Sequence, residues 1–287
     1  MFHVEHMIKK EAPFKAKDHL VSKETFEIKW NEKCNYAKTS LPKDIVLSRY
    51  YETEDYNSHK TETKSILDLL YKTVQKSMLY YKEGFVRSRA KGNVLDIGGG
   101  VGVFAAYLAN RKFETTVVEP SKKGYEACAK KGLNTYLSIA DLPKTKRYSA
   151  ITMWHVLEHL TLPEKSLKEL HALMEVDALL IIAVPNFNSH DARHYASDWA
   201  ALDVPRHLWH FTHRGLKDLV EPLGFVFKAQ KPLWFDVFYI SYISEKNRNK
   251  NLSFLRGLLV GTMCTFKALY DGEHSSSIYV FQKKTIH

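Results

Sequence analysis

Residues 93–102 read NVLDIGGGVG. An apolar run ending in an acid meets three consecutive glycines, and a fourth follows two residues later. Glycine loses more backbone entropy on folding than any other residue, so such a cluster marks positions that only glycine can fill. Val103 to Leu108, just beyond, has helical spacing, so the glycines turn a buried strand into a helix. Outward from this turn the pattern repeats. Thr115–Val118 precedes Ser121–Lys131, Thr135–Leu137 stands between helical runs, Ala150–Trp154 precedes Leu162–Met174, and Leu179–Val184 follows. Such alternation predicts right-handed crossovers and a parallel sheet with helices on both faces. AITMW and LLIIAV are almost wholly apolar, as strands covered on both faces should be. Gly224–Lys228 and Ser276–Phe281 predict two further strands.

Upstream, Thr63–Lys82 has helical spacing, and alternating runs such as Thr25–Ile28 predict a small hairpin region within residues 1–60. The 287 residues can bury a full core. The formal net charge of +10 is spread in short clusters rather than one block, which points to solubility rather than a nucleic-acid surface. Three scattered cysteines, with no C-x-x-C pair, argue for a reducing cytosol and against a disulfide framework. The N-terminal stretch lacks the apolar core of a signal peptide. Leu252–Tyr270 is interrupted by Arg256 and Lys267, so no spanning segment is predicted. Its Leu252, Leu255, Leu259, Met263 and Phe266 read as a core-facing or lid helix; the basic NRNK before it keeps membrane-surface contact through 247–270 as the alternative.

The glycine turn falls at the carboxyl end of the sheet, where doubly wound folds bind ligands. There Gly98, Gly100 and Gly102 would leave main chain bare, and a helix N-terminus would offer N–H groups to an anion. A kinase-type phosphate loop needs a lysine after its last glycine, and none follows. The dinucleotide fingerprint G-x-G-x-x-G, counted from Gly98, ends on Val103 and fails. Glu119, ending TTVVE about twenty residues on, is placed to accept both ribose hydroxyls of an adenosine-containing cofactor.

The remaining pattern, Asp96-x-Gly98-x-Gly100-x-Gly102, resembles the first motif of class I S-adenosylmethionine-dependent methyltransferases. RYSAITMWHVLEHL at 147–160, LLIIAVPNFN at 179–188 and DVPRHLWHFTHRGLKDLVEPLGF at 203–225 extend the likeness over roughly residues 34–230. It is similar in particular to small-molecule methyltransferases, including the quinone O-methyltransferases. The resemblance implies a Rossmann-like seven-stranded sheet, mostly parallel, with its last strand, Ser276–Phe281, inserted antiparallel. It implies an N-terminal hairpin or lid over 1–60, a cofactor domain over 61–287, and a lid insertion over 232–275 between the last two strands. Asp96 with Gly98, Gly99 and Gly100 would hold the methionine part of S-adenosylmethionine, beside Trp154 and His155 at the end of the fourth strand. Relatives bracket adenine with an acid–alanine pair; here Ser138-Ile139-Ala140-Asp141 stands there, with Ile139 as an apolar face and Asp141 as a partner for the exocyclic amine. Asn186 occupies an acceptor-contacting position. CNYAKTSLPKDIVLSRYYETEDYNSH at 34–59 resembles the second half of a zinc-ribbon segment, but with only Cys34 of four ligands no structural zinc is expected. Tyr50, Tyr51, Tyr56 and His59 either fold across the cofactor mouth or pack in a hairpin.

HVLEH at 155–159 also matches the inverted zinc-peptidase pattern, but it directly follows a buried strand and Pro163 lies close behind, whereas those peptidases place it in a long helix. A hydroxyl acceptor must lose a proton during methyl transfer, and neutral imidazole suits that role near pH 7. His159, then His207, then His155 are the candidate bases, with His210 nearby. Glu158 with His159 could instead hold a divalent cation, but one adjacent pair is a thin ligand set, and no metal is assigned. Arg206 either forks onto an anionic acceptor group or pairs with Asp203. The expected function is methyl transfer to a small-molecule acceptor, oxygen before carbon, in the cytoplasm. RNA or protein methylation and a non-catalytic cofactor-binding protein are the alternatives.

Overall fold

The structure is a computed structural model and describes residues 14–31, 33–51, 66–89, 92–248 and 251–284. The chain opens with strands β1 (Phe14–Lys17), β2 (Thr25–Asn31) and β3 (Tyr36–Ser40), followed by helix α1 (Ile66–Val86). The alternating region then yields β4 (Asn93–Ile97), α2 (Val103–Ala109), β5 (Glu114–Val118), α3 (Lys122–Lys130), β6 (Asn134–Tyr136), β7 (Tyr148–Trp154), α4 (Pro163–Leu173) and β8 (Met174–Pro185). Beyond lie α5 (His190–Tyr195), β9 (Trp209–Phe211), α6 (His213–Val220) and β10 (Phe225–Pro232). Helices α7 (Asp236–Asn247) and α8 (Ser253–Asp271) then lead into β11 (Ser276–Lys283).

The main sheet has seven strands in the order β10-β11-β8-β7-β4-β5-β6. The pairs β8–β7, β7–β4, β4–β5 and β5–β6 are parallel. β11 is antiparallel to both its neighbours, as expected for the last strand. Each predicted strand is present, within a few residues at its ends, because fully apolar runs between turn residues leave little freedom in where a buried strand lies. Val94, Leu95, Ile151, Met153, Leu180 and Ile182 form the buried centre.

A second sheet is built differently. Its order is β1-β2-β3-β9, so the N-terminal strands are completed by a strand from the other end of the chain. Tyr36, Ala37 and Lys38 pair antiparallel with Phe211, His210 and Trp209. This pairing fixes the N-terminal segment against the residues that follow β8.

The core-facing half of one expectation is overturned. The Leu252, Leu255, Leu259, Met263 and Phe266 series does not face the core: Leu259 is 70% and Phe266 69% exposed. The inward stripe of α8 is instead Gly257, Gly261, Cys264 and Ala268, because small residues let it close on α7.

Candidate active site

β4 delivers its carboxyl end into the glycine loop between two parallel neighbours. The amide of Gly98 donates to Val118 O at 2.7 Å, anchoring the loop to β5. Gly98 and Gly100 have φ of +65° and +57°, the left-handed region that other residues enter at a cost. A Cβ on Gly98 would also lie 2.5 Å from Val156 Cγ2, whereas at Gly100 no atom of the described residues lies within 4 Å of one. Asp96, 2% exposed, accepts a 2.6 Å hydrogen bond from Thr152 Oγ1. Burial pushes its carboxyl up to about 6, although the Thr152 hydroxyl and the Lys82 ammonium favour the charged form. Glu119 is 7% exposed, and both its oxygens are engaged: Oε2 accepts from Gly100 N at 2.8 Å and Oε1 from Ser121 N at 2.9 Å. It therefore braces the glycine loop to the start of α3. Trp154 stands edge-on to Phe104 with centroids 5.4 Å apart, and the Lys82 ammonium lies 4.4 Å from its ring centroid. The buried Trp154 Nε1 has no hydrogen-bond partner among the described residues.

The histidines gather beyond β7. Residues 157–159 form a short 3-10 turn rather than part of a long helix, which removes the geometry a zinc peptidase needs. Arg206 O lies 3.0 Å from His159 Nδ1; a carbonyl only accepts, so Nδ1 carries the proton and Nε2 the lone pair. Ala201 O, 2.8 Å from His207 Nδ1, sets the same tautomer there. The two rings meet edge to face with centroids 4.5 Å apart. Burial, reinforced by the neighbouring His207, pushes His159 down to about 4, so its ring stays neutral through the physiological range. His210 is closed off. Thr39 Oγ1 donates to His207 O at 2.7 Å and so accepts from His210 Nε2 at 2.9 Å, deep in the N-terminal sheet. Burial pushes His210 down to about 3.

His155 behaves in the opposite way. Its Nε2 lies 2.9 Å from Asp236 Oδ2 and its Nδ1 3.3 Å from Glu158 Oε1. Burial opposes charge on the ring, but the two carboxylates, Asp236 foremost, outweigh it and raise the group to about 10. A ring held charged between two acids cannot accept a proton, so His155 leaves the set of candidate bases. Glu158 is 1% exposed; burial opposes its ionisation, yet the charged His155 ring beside it holds its carboxyl below the usual range. Donor atoms of Glu158, His159 and His207 all lie within 4.8 Å of one another, so the tertiary structure adds a third ligand to the adjacent pair seen in the sequence.

A family model described as a methyltransferase domain matches residues 76–230, more than half of the chain. The chain belongs to this methyltransferase-domain family. Solved structures with the same fold include 1,6-didemethyltoxoflavin-N1-methyltransferase from Burkholderia thailandensis, with 1,6-didemethyltoxoflavin and S-adenosylhomocysteine bound (12% identity, 89% of this chain and 99% of that one, TM-score 0.51). Coclaurine N-methyltransferase bound to N-methylheliamine and S-adenosylhomocysteine is another (16% identity, 78% and 76% covered, TM-score 0.50). The StiE O-MT segment is similar too (14% identity, 78% and 79% covered, TM-score 0.52). No curated protein sequence is significantly similar to this chain.

Two of these structures hold S-adenosylhomocysteine, and the residues at this chain's glycine loop fit the amino-acid part of such a cofactor. Among the described residues nothing fills the space at Gly100 and the Trp154 N–H finds no acceptor, and the site holds both signs of charge in Lys82 and Asp96. A zwitterionic amino-acid tail needs both. Lys82 was invisible as a site residue in the sequence, since nothing in a helical run foretells which end of the helix reaches the sheet. Burial lowers its ammonium, while Asp236 and Asp96 favour the charge.

Several expected contacts take other partners. Asp141 is exposed, and its Oδ2 accepts from Ser138 N (3.0 Å) and Ser138 Oγ (2.8 Å), capping its own turn, with Ile139 packed on the main core. Asn186 is buried and donates to Glu273 Oε2 (2.6 Å) and His274 O (3.1 Å), stitching β8 to the approach to β11 rather than facing an acceptor. Arg206, 1% exposed, is an internal staple. Its guanidinium bonds Asp203 (2.6 Å to Oδ1), Asp18 (3.2 Å) and Tyr50 O (3.1 Å), leaving no fork for a substrate anion. Tyr50 is fully buried, and the Tyr51 hydroxyl reaches His159 Nδ1 at 3.2 Å. Tyr56 and His59 lie outside the described residues.

Proposed function

We propose that this protein transfers a methyl group from S-adenosylmethionine to a hydroxyl of a small organic acceptor, with His159 as general base. The observation that carries the reading is a neutral imidazole whose Nδ1–H is anchored on Arg206 O, leaving the Nε2 lone pair to take a proton. S-adenosylmethionine supplies a methyl carbon on cationic sulfur, and sulfur keeps the bonding pair when that bond breaks. His159 Nε2 takes the acceptor proton as the oxygen bonds to the methyl carbon. The Tyr51 ring stands tilted to the His159 ring with centroids 6.1 Å apart, Glu158 offers a buried negative charge to the imidazolium, and His207 packs edge to face against the ring. An imidazole lowered to about 4 is a weak base, which favours an acidic hydroxyl, an enol or a phenol, over an alkyl alcohol. Asp96, Lys82 and Trp154 would hold the amino-acid part of the cofactor, with Glu119 near its sugar. Methylation at an acidic carbon would use the same base.

The test uses labelled S-adenosylmethionine with a small-molecule extract of the source cells, read by mass spectrometry. His159→Ala should abolish transfer while leaving S-adenosylhomocysteine affinity within about twofold. Unchanged transfer sinks the base assignment, and label carried on RNA or protein instead would sink the acceptor class. A second reading has its own support in the Glu158, His159 and His207 donor set. There a divalent cation would orient and acidify the acceptor oxygen. Loss of transfer on chelation, restored by magnesium or zinc, would favour it over direct base catalysis.

A further inference from the structure

Helix α8 is built inside out. Gly257, Gly261, Cys264 and Ala268 recur on one stripe and are buried. A Cβ added at Gly257 would lie 2.7 Å from Tyr242 Cα, and one at Gly261 2.8 Å from Phe238 Cδ1, so the small stripe is what lets α7 and α8 touch. The large side chains point the other way. Leu255, Leu258, Leu259, Phe266, Leu269 and Tyr270 are all exposed, Tyr270 almost completely. A helix serving only its own core would turn its large apolar side chains inward. A contiguous apolar face of this kind marks an interaction surface.

Charge selects the partner. Arg256 and Lys267 are exposed and, eleven residues apart, fall on the same edge of the apolar face after three helical turns. The one acid in Ser253–Asp271 is Asp271, already paired with His190 at 2.9 Å. A second copy of the chain across a two-fold axis would offer this face no carboxylate and would oppose cations with cations. An anionic lipid surface supplies both what the apolar face and what the cations lack. No helix among the described residues is long and apolar enough to cross a membrane, so α8 would lie along the surface.

We propose that the outward face of α8 docks this protein on anionic bilayers, with Leu255, Leu259 and Phe266 in the acyl boundary and Arg256 and Lys267 at the headgroups. The proposal is independent of the acceptor and of His159. Its test is flotation of the full chain with phosphatidylcholine vesicles and with vesicles containing phosphatidylglycerol, alongside light scattering for oligomeric state. The protein should float with the anionic vesicles and remain monomeric without them. Leu259→Asp with Phe266→Asp should abolish flotation. Arg256→Gln and Lys267→Gln should each weaken it about fivefold, more at low salt. Both pairs are exposed, so thermal melting should be unchanged, and the charge variants keep the test valid if the apolar ones misfold. Failure to float with either vesicle, equal flotation of the variants, or a stable dimer disrupted by Leu259→Asp would each overturn the proposal.

Discussion

Replacing Glu119 by Gln separates two roles for this residue. In the free protein its two oxygens accept from the amides of Gly100 and Ser121 at 2.8 and 2.9 Å. Glutamine has the same shape but one acceptor oxygen, so one amide must then face an NH2 group. A hydrogen bond to a charged group contributes about 1.5–3 kcal/mol, and the site is 7% exposed, so little of that is lost to solvent screening. If the brace organises the glycine loop, Glu119→Gln should destabilise the unliganded protein by about 1.5–3 kcal/mol. At roughly 2–4 °C per kcal/mol for a large domain, melting should fall by about 3–12 °C. If the carboxylate acts only on a ribose, melting without ligand should not move, and S-adenosylhomocysteine affinity alone should fall, by about 10- to 150-fold for the same energy. Scanning calorimetry without ligand and titration calorimetry with S-adenosylhomocysteine measure the two quantities. An unchanged melting temperature in the free variant would refute the brace.

Other predictions follow from the same groups. Arg206→Met leaves Asp203 and the buried Asp18 without their shared cation and should cost about 3–5 kcal/mol in urea denaturation; less than 1 kcal/mol would mean the network relaxes into water. His159 must be neutral to act as base. Its group is lowered to about 4, so with the cofactor saturating, which takes the titration of Asp96 near 6 out of the profile, activity should be lost only as pH falls through about 4, and kcat/KM for the acceptor should stay flat from pH 7 to pH 5. An acid limb near 6.5, where a free imidazole titrates, would contradict that environment.

The main sheet was legible from particular residues. Ala150–Trp154, apart from Thr152, and Leu179–Val184 are apolar, a pattern that suits strands covered on both faces. The glycines at 98–102 announced the turn because few other residues tolerate those backbone angles. The candidate site was legible only in part. Sequence placed His159 beside Glu158, but His207, forty-eight positions on, joins them only because β9 folds back to complete the N-terminal sheet. His155 and His159 look alike in HVLEH, yet one is held charged by Asp236 and the other kept neutral by burial. Arg206 was balanced between a substrate anion and Asp203, and the arrival of Asp18 from the N-terminal segment decided it.

Local sequence determines what can be settled by neighbours within a few residues: where a strand must be apolar, where a turn must be glycine, and that α8 carries two opposed stripes. Which of those stripes faces the body, which histidine keeps its proton, and which arginine is spent inside the fold depend on other segments, as Tyr242 does for Gly257, Asp236 for His155 and Asp18 for Arg206. Packing and the field of distant charges act through space rather than along the chain, and only the tertiary structure brings them to bear.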